Sequence, residues 1–266
     1  MLTRRHFLGA SLAMTAYAGG SMVPAWAQNA PSLGTPTLPS PGWRRTKVGD
    51  AEVIALIDGI ARRPLGEEFV KNAPLAEVRA LLASQNLPTD YIDVPFTPFL
   101  IVAGGRKILL DTGLGEFGGP TTGKLLEHLH AAGVQPSEID TVVISHYHGD
   151  HINGLRNKAG DYVFAKAKVM VPTTEHAFWM DDARMAAAPQ GMKGAFENVR
   201  RTFASMPQGM LVPFEPGAEV APGIQSIAAY GHTPGHTLFH LQSAGQHFHY
   251  VADLTNVPAL FARNPD

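Results

Sequence analysis

The sequence predicts a mixed α/β domain, and three observations carry that prediction. Apolar, β-branched runs such as Thr141-Val142-Val143-Ile144 alternate along the chain with stretches of helical spacing such as Leu75 to Ser84. Turn residues separate paired runs, as at Gly49-Asp50, Gly104-Gly105 and Ala244-Gly245-Gln246. One buried run, Ile139 to Ile144, feeds straight into Ser145-His146-Tyr147-His148-Gly149-Asp150-His151, four potential metal ligands within six residues.

Taken in order, Thr3-Arg4-Arg5-His6-Phe7-Leu8-Gly9 places paired arginines before a Gly- and Ala-interrupted apolar stretch that ends at Ala25-Trp26-Ala27. This resembles a twin-arginine export signal, so residues 1–27 are set apart from the fold and the product is expected in the periplasm or medium. The stretch is too broken by glycine and small polar residues to make a good spanning helix, and no membrane association is expected after cleavage. Residues 28–42, rich in Pro, Ser and Gly, read as a flexible leader, and residues 43–266 as one domain.

Composition limits the chemistry. The whole chain carries a net charge of −2, and loss of Arg4 and Arg5 with the leader takes it to −4, which does not favour nucleic acid. With no cysteine, disulfides and thiolate ligands are excluded, and any metal must rest on imidazole and carboxylate oxygen.

Within the domain, Trp43 to Gly49 and Ala51 to Leu56 read as a hairpin, Leu75 to Ser84 as a helix, and Thr97 to Val102 with Lys107 to Leu110 as two strands. Asp111-Thr112-Gly113 ends the second of these, and Asp111 is either a turn former or a carboxylate that orients a metal-bound imidazole. Gly123 to Ala132 reads as an amphipathic helix whose His128 and His130, two residues apart, point to different faces and are not counted as ligands. Tyr162 to Val171 reads as two short strands, and Thr174 to Met185 and Met192 to Met206 as helices expected to form a lid. These carry Trp179 and Phe196, for which core packing and a substrate-facing wall both remain open. Ile224 to Ala229 is a strand that delivers Gly231-His232-Thr233-Pro234-Gly235-His236. Thr237 to Leu241 and His247 to Val251 then pair, and the second delivers Ala252-Asp253. His236 is expected to play a hydrogen-bonded structural part, and His240, His247 and His249 to be sheet histidines.

The metal loop carries the functional signal. In an extended segment alternate side chains point the same way, so His146 and His148 can converge on one cation, while a turn at Gly149 swings Asp150 and His151 toward a neighbouring position. His232 is the natural third imidazole of the first site, and Asp253 can bridge two metals. Three protein ligands with an open position is the catalytic arrangement, and imidazole with carboxylate is a zinc-type donor set that also accepts other divalent metals.

The order Asp-Thr-Gly, His-x-His-x-Asp-His, Gly-His-Thr-Pro-Gly-His and Ala-Asp resembles the metallo-beta-lactamase superfamily over essentially all of the domain. Pro41-Gly42-Trp43, Phe117-Gly118-Gly119-Pro120, Phe178-Trp179 and the spacing of His151, His232 and Asp253 look like the methyl parathion hydrolase group, neighbours of the N-acyl homoserine lactonases. The resemblance implies an αββα sandwich with two Zn2+ at one sheet edge. It places His146, His148 and His232 on the first metal, Asp150 and His151 on the second and Asp253 between them, with Phe117, Trp179 and Phe196 in the substrate pocket. The family pattern also has a later histidine on the second metal, and no histidine follows Asp253 here. The second site is therefore expected to be one ligand short and the last layer incomplete, leaving apolar surface for a partner chain such as a homodimer.

The chemistry such a site supports is hydrolysis by a metal-bound hydroxide, with Asp150 steering the proton. A neutral, hydrophobic ester, lactone or organophosphate triester suits an aromatic pocket. The alternatives are a glyoxalase-type thioesterase, which calls for a cationic cluster, and a metal-binding remnant without activity.

Overall fold

A computed structural model of the chain describes residues 33–261. The export leader read over residues 1–27 lies outside the described residues. Residues 33–42 form neither helix nor strand and are held in part by Arg62, whose guanidinium donates to the Leu33 carbonyl at 2.7 Å.

The fold starts with a hairpin of β1 (Trp43–Val48) and β2 (Ala51–Leu56), turned at Gly49-Asp50. Gly49 has φ +58°, and a Cβ there would fall 2.1 Å from the Ser243 carbonyl oxygen, so only glycine lets the turn close on the opposite sheet. Next come β3 (Gly59–Pro64), α1 (Leu75–Ser84) and β4 (Tyr91–Phe96); β3 and β4 pair with each other as a separate ribbon. The sequence does not announce this ribbon, because Arg62, Arg63, Pro64, Asp93 and Pro95 interrupt its apolar alternation. The chain then adds β5 (Phe99–Ala103), β6 (Arg106–Leu110), α2 (Leu125–Ala131), β7 (Thr141–Val143), α3 (Gly149–Ile152) and β8 (Lys168–Pro172). Three helices follow, α4 (Thr173–Met180), α5 (Asp182–Ala187) and α6 (Gln190–Phe203), before β9 (Leu211–Phe214). The last part comprises β10 (Glu219–Ala221), β11 (Ile224–Ala228), β12 (Thr237–Ser243), β13 (Gln246–Tyr250) and α7 (Pro258–Phe261).

Seven strands make a mixed sheet in the order β1-β2-β5-β6-β7-β8-β9, antiparallel as far as β6 and parallel from β6 to β9. The change of direction follows the connections: tight turns join the early strands, and helices cross between the later ones. β10 to β13 form a second, antiparallel sheet. One core lies between the sheets, where Val53, Ile101, Ile108 and Leu110 meet Ile224, Phe239 and Leu241. A second core lies on the other face of the large sheet, where Ile54, Leu100, Val142 and Val169 meet Leu129, Trp179, Phe196 and Phe203 from the helices. A satellite core joins α1 to the β3–β4 ribbon. Among the described residues the layers are thus helix, sheet and sheet, and the outer face of the small sheet exposes Ile227, His247 and His249.

Several expected elements are corrected. Of the strand pair expected over Tyr162 to Val171, only β8 forms; Tyr162 makes a single bridge to Arg156, whose guanidinium lies 3.9 Å from its ring centre. The helix expected over Thr174 to Met185 breaks at Asp181, which turns to cap α5 by accepting the Arg184 N–H. The lid read for these helices is instead the packed helix layer, since Trp179, Phe196, Val199 and Phe203 are all buried against the large sheet.

Asp58, just after β2, ties the frame to the loop that precedes α2. Its buried carboxylate accepts the N–H groups of Leu114 at 2.9 Å, Gly123 at 3.2 Å and Leu125 at 3.0 Å. Burial pushes this carboxyl above the usual range, and the three N–H groups pull the other way. Asp58→Ala would leave three buried donors unpaired and is expected to cost on the order of 3 kcal/mol. Urea denaturation checks this, and an unchanged midpoint would refute it.

Candidate metal centre

The sequence-predicted ligands meet where the strand ends of both sheets come together. β7 ends at Val143, and the residues after it carry His146 and His148; α3 begins at Gly149 and turns Asp150 and His151 to the adjacent side. His232 comes from the loop between β11 and β12, and Asp253 from the turn after β13. Two groups result, one of His146, His148, His232 and Asp253 and one of Asp150, His151 and the same Asp253.

In the first group the His148 Nδ1 lies 3.1 Å from His146 Nε2 and 2.9 Å from His232 Nε2. Asp253 Oδ2 is 3.3 Å from His232 Nε2 and 4.0 Å from His146 Nε2. Tetrahedral zinc with bonds of about 2.0–2.1 Å holds its ligand atoms about 3.3 Å apart, so this spacing matches one central cation. The tautomer of His146 is fixed by its neighbours. The Ser145 hydroxyl spends its proton on Asp111 Oδ2 at 2.6 Å, so at 3.0 Å it accepts from His146 Nδ1, leaving the Nε2 lone pair facing the group. Burial, followed by the neighbouring His151, pushes His146 far below its ordinary value. Burial and His232 likewise bring His148 down to about 4. Both are therefore neutral at pH 7, the form that ligates.

The second group carries the clearest sign of a cation. His151 donates from Nδ1 to Asp111 Oδ2 at 2.7 Å, which points its Nε2 at Asp253, 3.2 Å away, and Asp150, 3.5 Å away. Neither contact has hydrogen-bond alignment, so this buried nitrogen has no hydrogen-bond partner. Burial opposes a charge on His151, but Asp111, Asp150 and Asp253 outweigh it and hold the ring well above its usual value, so that without a cation its Nε2 carries a proton, which a bound cation would displace. Asp253 is lowered far below the carboxylate range: burial resists the shift, and His151 and His232 override it. Asp150 is lowered too, burial again resisting and His151 prevailing. A ring nitrogen without a partner between two ionised carboxylates is a donor set that a divalent cation fits.

The remaining site residues fall into place around these groups. Asp111 accepts from Ser145 N at 2.7 Å, from the Ser145 hydroxyl, from His151 and from the Tyr250 hydroxyl at 2.7 Å, so it orients ligands without entering either group. His236 donates from Nδ1 to the Ala229 carbonyl at 2.9 Å and accepts the Asp253 N–H at 3.2 Å, which fixes the turn that presents Asp253. His240, His247 and His249 stack on one another on the small sheet and enter neither group, although His249 lines the cavity beside the second one. The pocket expected from Phe117, Trp179 and Phe196 is corrected. Trp179 and Phe196 are 3% and 1% exposed and belong to the helix-side core, and Phe117 lies at the surface under the Arg201 guanidinium, 4.0 Å from its ring centre. The cavities over the ligands are walled instead by Val94, Pro95 and Phe96 of the ribbon, by Phe69 from the segment between β3 and α1, and by Phe99 and Tyr250. Arg63 and Asn256 add polar groups to that wall.

Sequence reading missed Ser145, Tyr250, Arg63 and Glu175. None stands in a ligand pattern, and each matters only through a partner distant in the chain.

His148→Ala is expected to remove the tightly bound metal, because His148 contacts both other imidazoles of the first group; elemental analysis of purified protein with full metal content would refute this. Trp179→Ala and Phe196→Ala should each cost on the order of 3–5 kcal/mol as core truncations. Metal content of the folded fraction should be unchanged, and thermal melts that match the wild type would return both residues to the pocket.

Residues 97–264 match the family model of the metallo-beta-lactamase superfamily. The chain is 28% identical over 174 residues to "Ribonuclease TTHA0252" of Thermus thermophilus, spanning 62% of this chain and 36% of that protein. It is 27% identical over 169 residues to "Anti-Pycsar protein Apyc1" of a Paenibacillus species, spanning 62% of each. The chain therefore covers less than two thirds of either curated relative. Among solved structures it resembles AidC, a dizinc quorum-quenching lactonase in complex with a product, with a TM-score of 0.78, 27% identity and coverage of 84% of this chain and 78% of that one. The hydrolase AbOPH, of the beta lactamase superfamily, gives a TM-score of 0.73 and 27% identity over 80% of this chain and 74% of that one. A ligand array spread over both sheets and a family match across most of the described domain lead to one assignment: the chain belongs to the metallo-beta-lactamase superfamily.

Proposed function

We propose that this protein is a metal-dependent hydrolase of a neutral, hydrophobic lactone or ester, with an organophosphate triester as a further substrate of the same site. The observation that supports this reading is the pair of ligand groups sharing Asp253 beside a cavity lined by Phe96, Pro98, Phe99 and Tyr250. Bound divalent cations, zinc foremost, would supply Lewis acidity and lower the pKa of water toward neutrality. Asp253 holds the two groups at a fixed separation, and Asp111 and His236 keep His151 and Asp253 aimed. Asp150, half-buried between the groups and the cavity, is the carboxylate that takes up the proton of the attacking water.

Two adjoining cavities of about 270 and 260 Å³ lie over the ligands, a size for a small acyl lactone and not for a polymer. Phe96, Pro98 and Phe99 of the first cavity suit an acyl chain, and the likeness to the lactonase AidC supports a lactone. Arg63 is the one arginine or lysine lining these cavities. A single guanidinium can accept a carboxylate product or a carbonyl oxygen but is not the cationic cluster that a glyoxalase-type thioesterase calls for.

The full chain loaded with Zn2+ should hydrolyse an N-hexanoyl lactone and p-nitrophenyl butyrate. A chelator should abolish turnover and added Zn2+ restore it, with diethyl p-nitrophenyl phosphate cleaved more slowly. Metal bound stoichiometrically with no turnover of any of the three would overturn the proposal.

A further inference from the structure

The three imidazoles of the first ligand group come from two loops that belong to different sheets, and a buried carboxylate on a helix spans them. Glu175 lies in the first turn of α4 and is fully buried. Its Oε1 accepts the N–H of Tyr147, the residue between His146 and His148, at 3.0 Å, and the indole N–H of Trp179 at 2.8 Å. Its Oε2 accepts the N–H of Gly235, three residues after His232, at 2.7 Å. We infer that Glu175 is a positioning residue for the metal centre, because its carboxylate bolts the His146–His148 loop to the His232 loop and so sets the spacing of the three imidazoles.

A carboxylate withdrawn from water is costly unless it is fully hydrogen-bonded, and three N–H dipoles satisfy this one. Gly235 shows how closely the second loop is drawn in. A Cβ there would lie 2.3 Å from the Glu175 backbone nitrogen and 2.6 Å from its Cβ, so the loop reaches the carboxylate only because position 235 has no side chain. The seam is continued by the Thr237 N–H, which donates to the Ser145 carbonyl at 3.1 Å. Within it Glu175 is the side chain that touches both loops. Glutamine in its place keeps the size but presents an amide N–H to one of the backbone donors, which opens the clamp at one end.

This inference rests on the metal-dependent reading above, and the test separates the two. The full chain is titrated with Co2+, following the visible absorption of the bound ion and its affinity by calorimetry. E175Q is expected to bind the tightest Co2+ about tenfold or more weakly, with an altered absorption spectrum. G235A, which pushes the same loop away without touching the carboxylate, should reproduce both changes. Wild-type affinity and spectrum in both variants would overturn the positioning role and leave the hydrolase reading intact. Wild-type protein that binds no Co2+ would overturn the metal reading itself. Loss of folding in both variants would assign Glu175 to the fold and overturn the inference as well.

Discussion

The carboxylate of Asp111 locks the two sheets to the ligand array. It sits at the end of β6 in the large sheet and accepts from Ser145 and His151 on the metal loop and from Tyr250 at the end of β13 in the small sheet. Its backbone adopts φ +59°, a left-handed conformation that costs an L-residue on the order of 1 kcal/mol. Four hydrogen bonds to one buried carboxylate offset that cost, and they fix the direction of His151. Ala252, beside Asp253, is also left-handed at φ +44°, so local strain flanks the ligands on both sheets.

The geometry concentrates charge as well as donors. His146 and His148, made neutral by burial, face inward in the first group, whereas the second group sets ionised carboxylates around a nitrogen that lacks a hydrogen-bond partner. Such an arrangement is poorly balanced as a purely structural hydrogen-bond network and well balanced around cations. Because Asp253 belongs to both groups, the separation of the two groups is tied to one turn, and His236 holds that turn from behind.

The substrate side of the site comes from an unexpected quarter. The β3–β4 ribbon, held by its own small core with α1, borders the cavity over the candidate ligands and presents Val94 and Phe96 beside Arg63, with Phe69 coming from the segment between β3 and α1. The aromatic residues of α4 and α6 serve the helix layer instead, where Trp179 also donates to Glu175. The wall of the cavities and the candidate ligands are thus carried by separate parts of the chain.

What the sequence determined by itself was whatever depends on local spacing. The hairpin at Gly49-Asp50, the strand into His146, and the candidate ligands His146, His148, Asp150 and His151 were legible from strand alternation and a tight turn, whereas His232 and Asp253 were joined to them from their places at strand ends and from the resemblance. The broken apolar pattern of β3 and β4 hid the ribbon, and Trp179 and Phe196 looked alike as wall or core, because burial is a property of what packs from elsewhere. Only the tertiary structure decided that Glu175 would join Tyr147 to Gly235 and that Asp111 would join His151 to Tyr250. Hydrogen bonds between residues 28 to 139 positions apart leave no periodic trace in a sequence; they exist only once the two sheets and the helix layer have packed face to face.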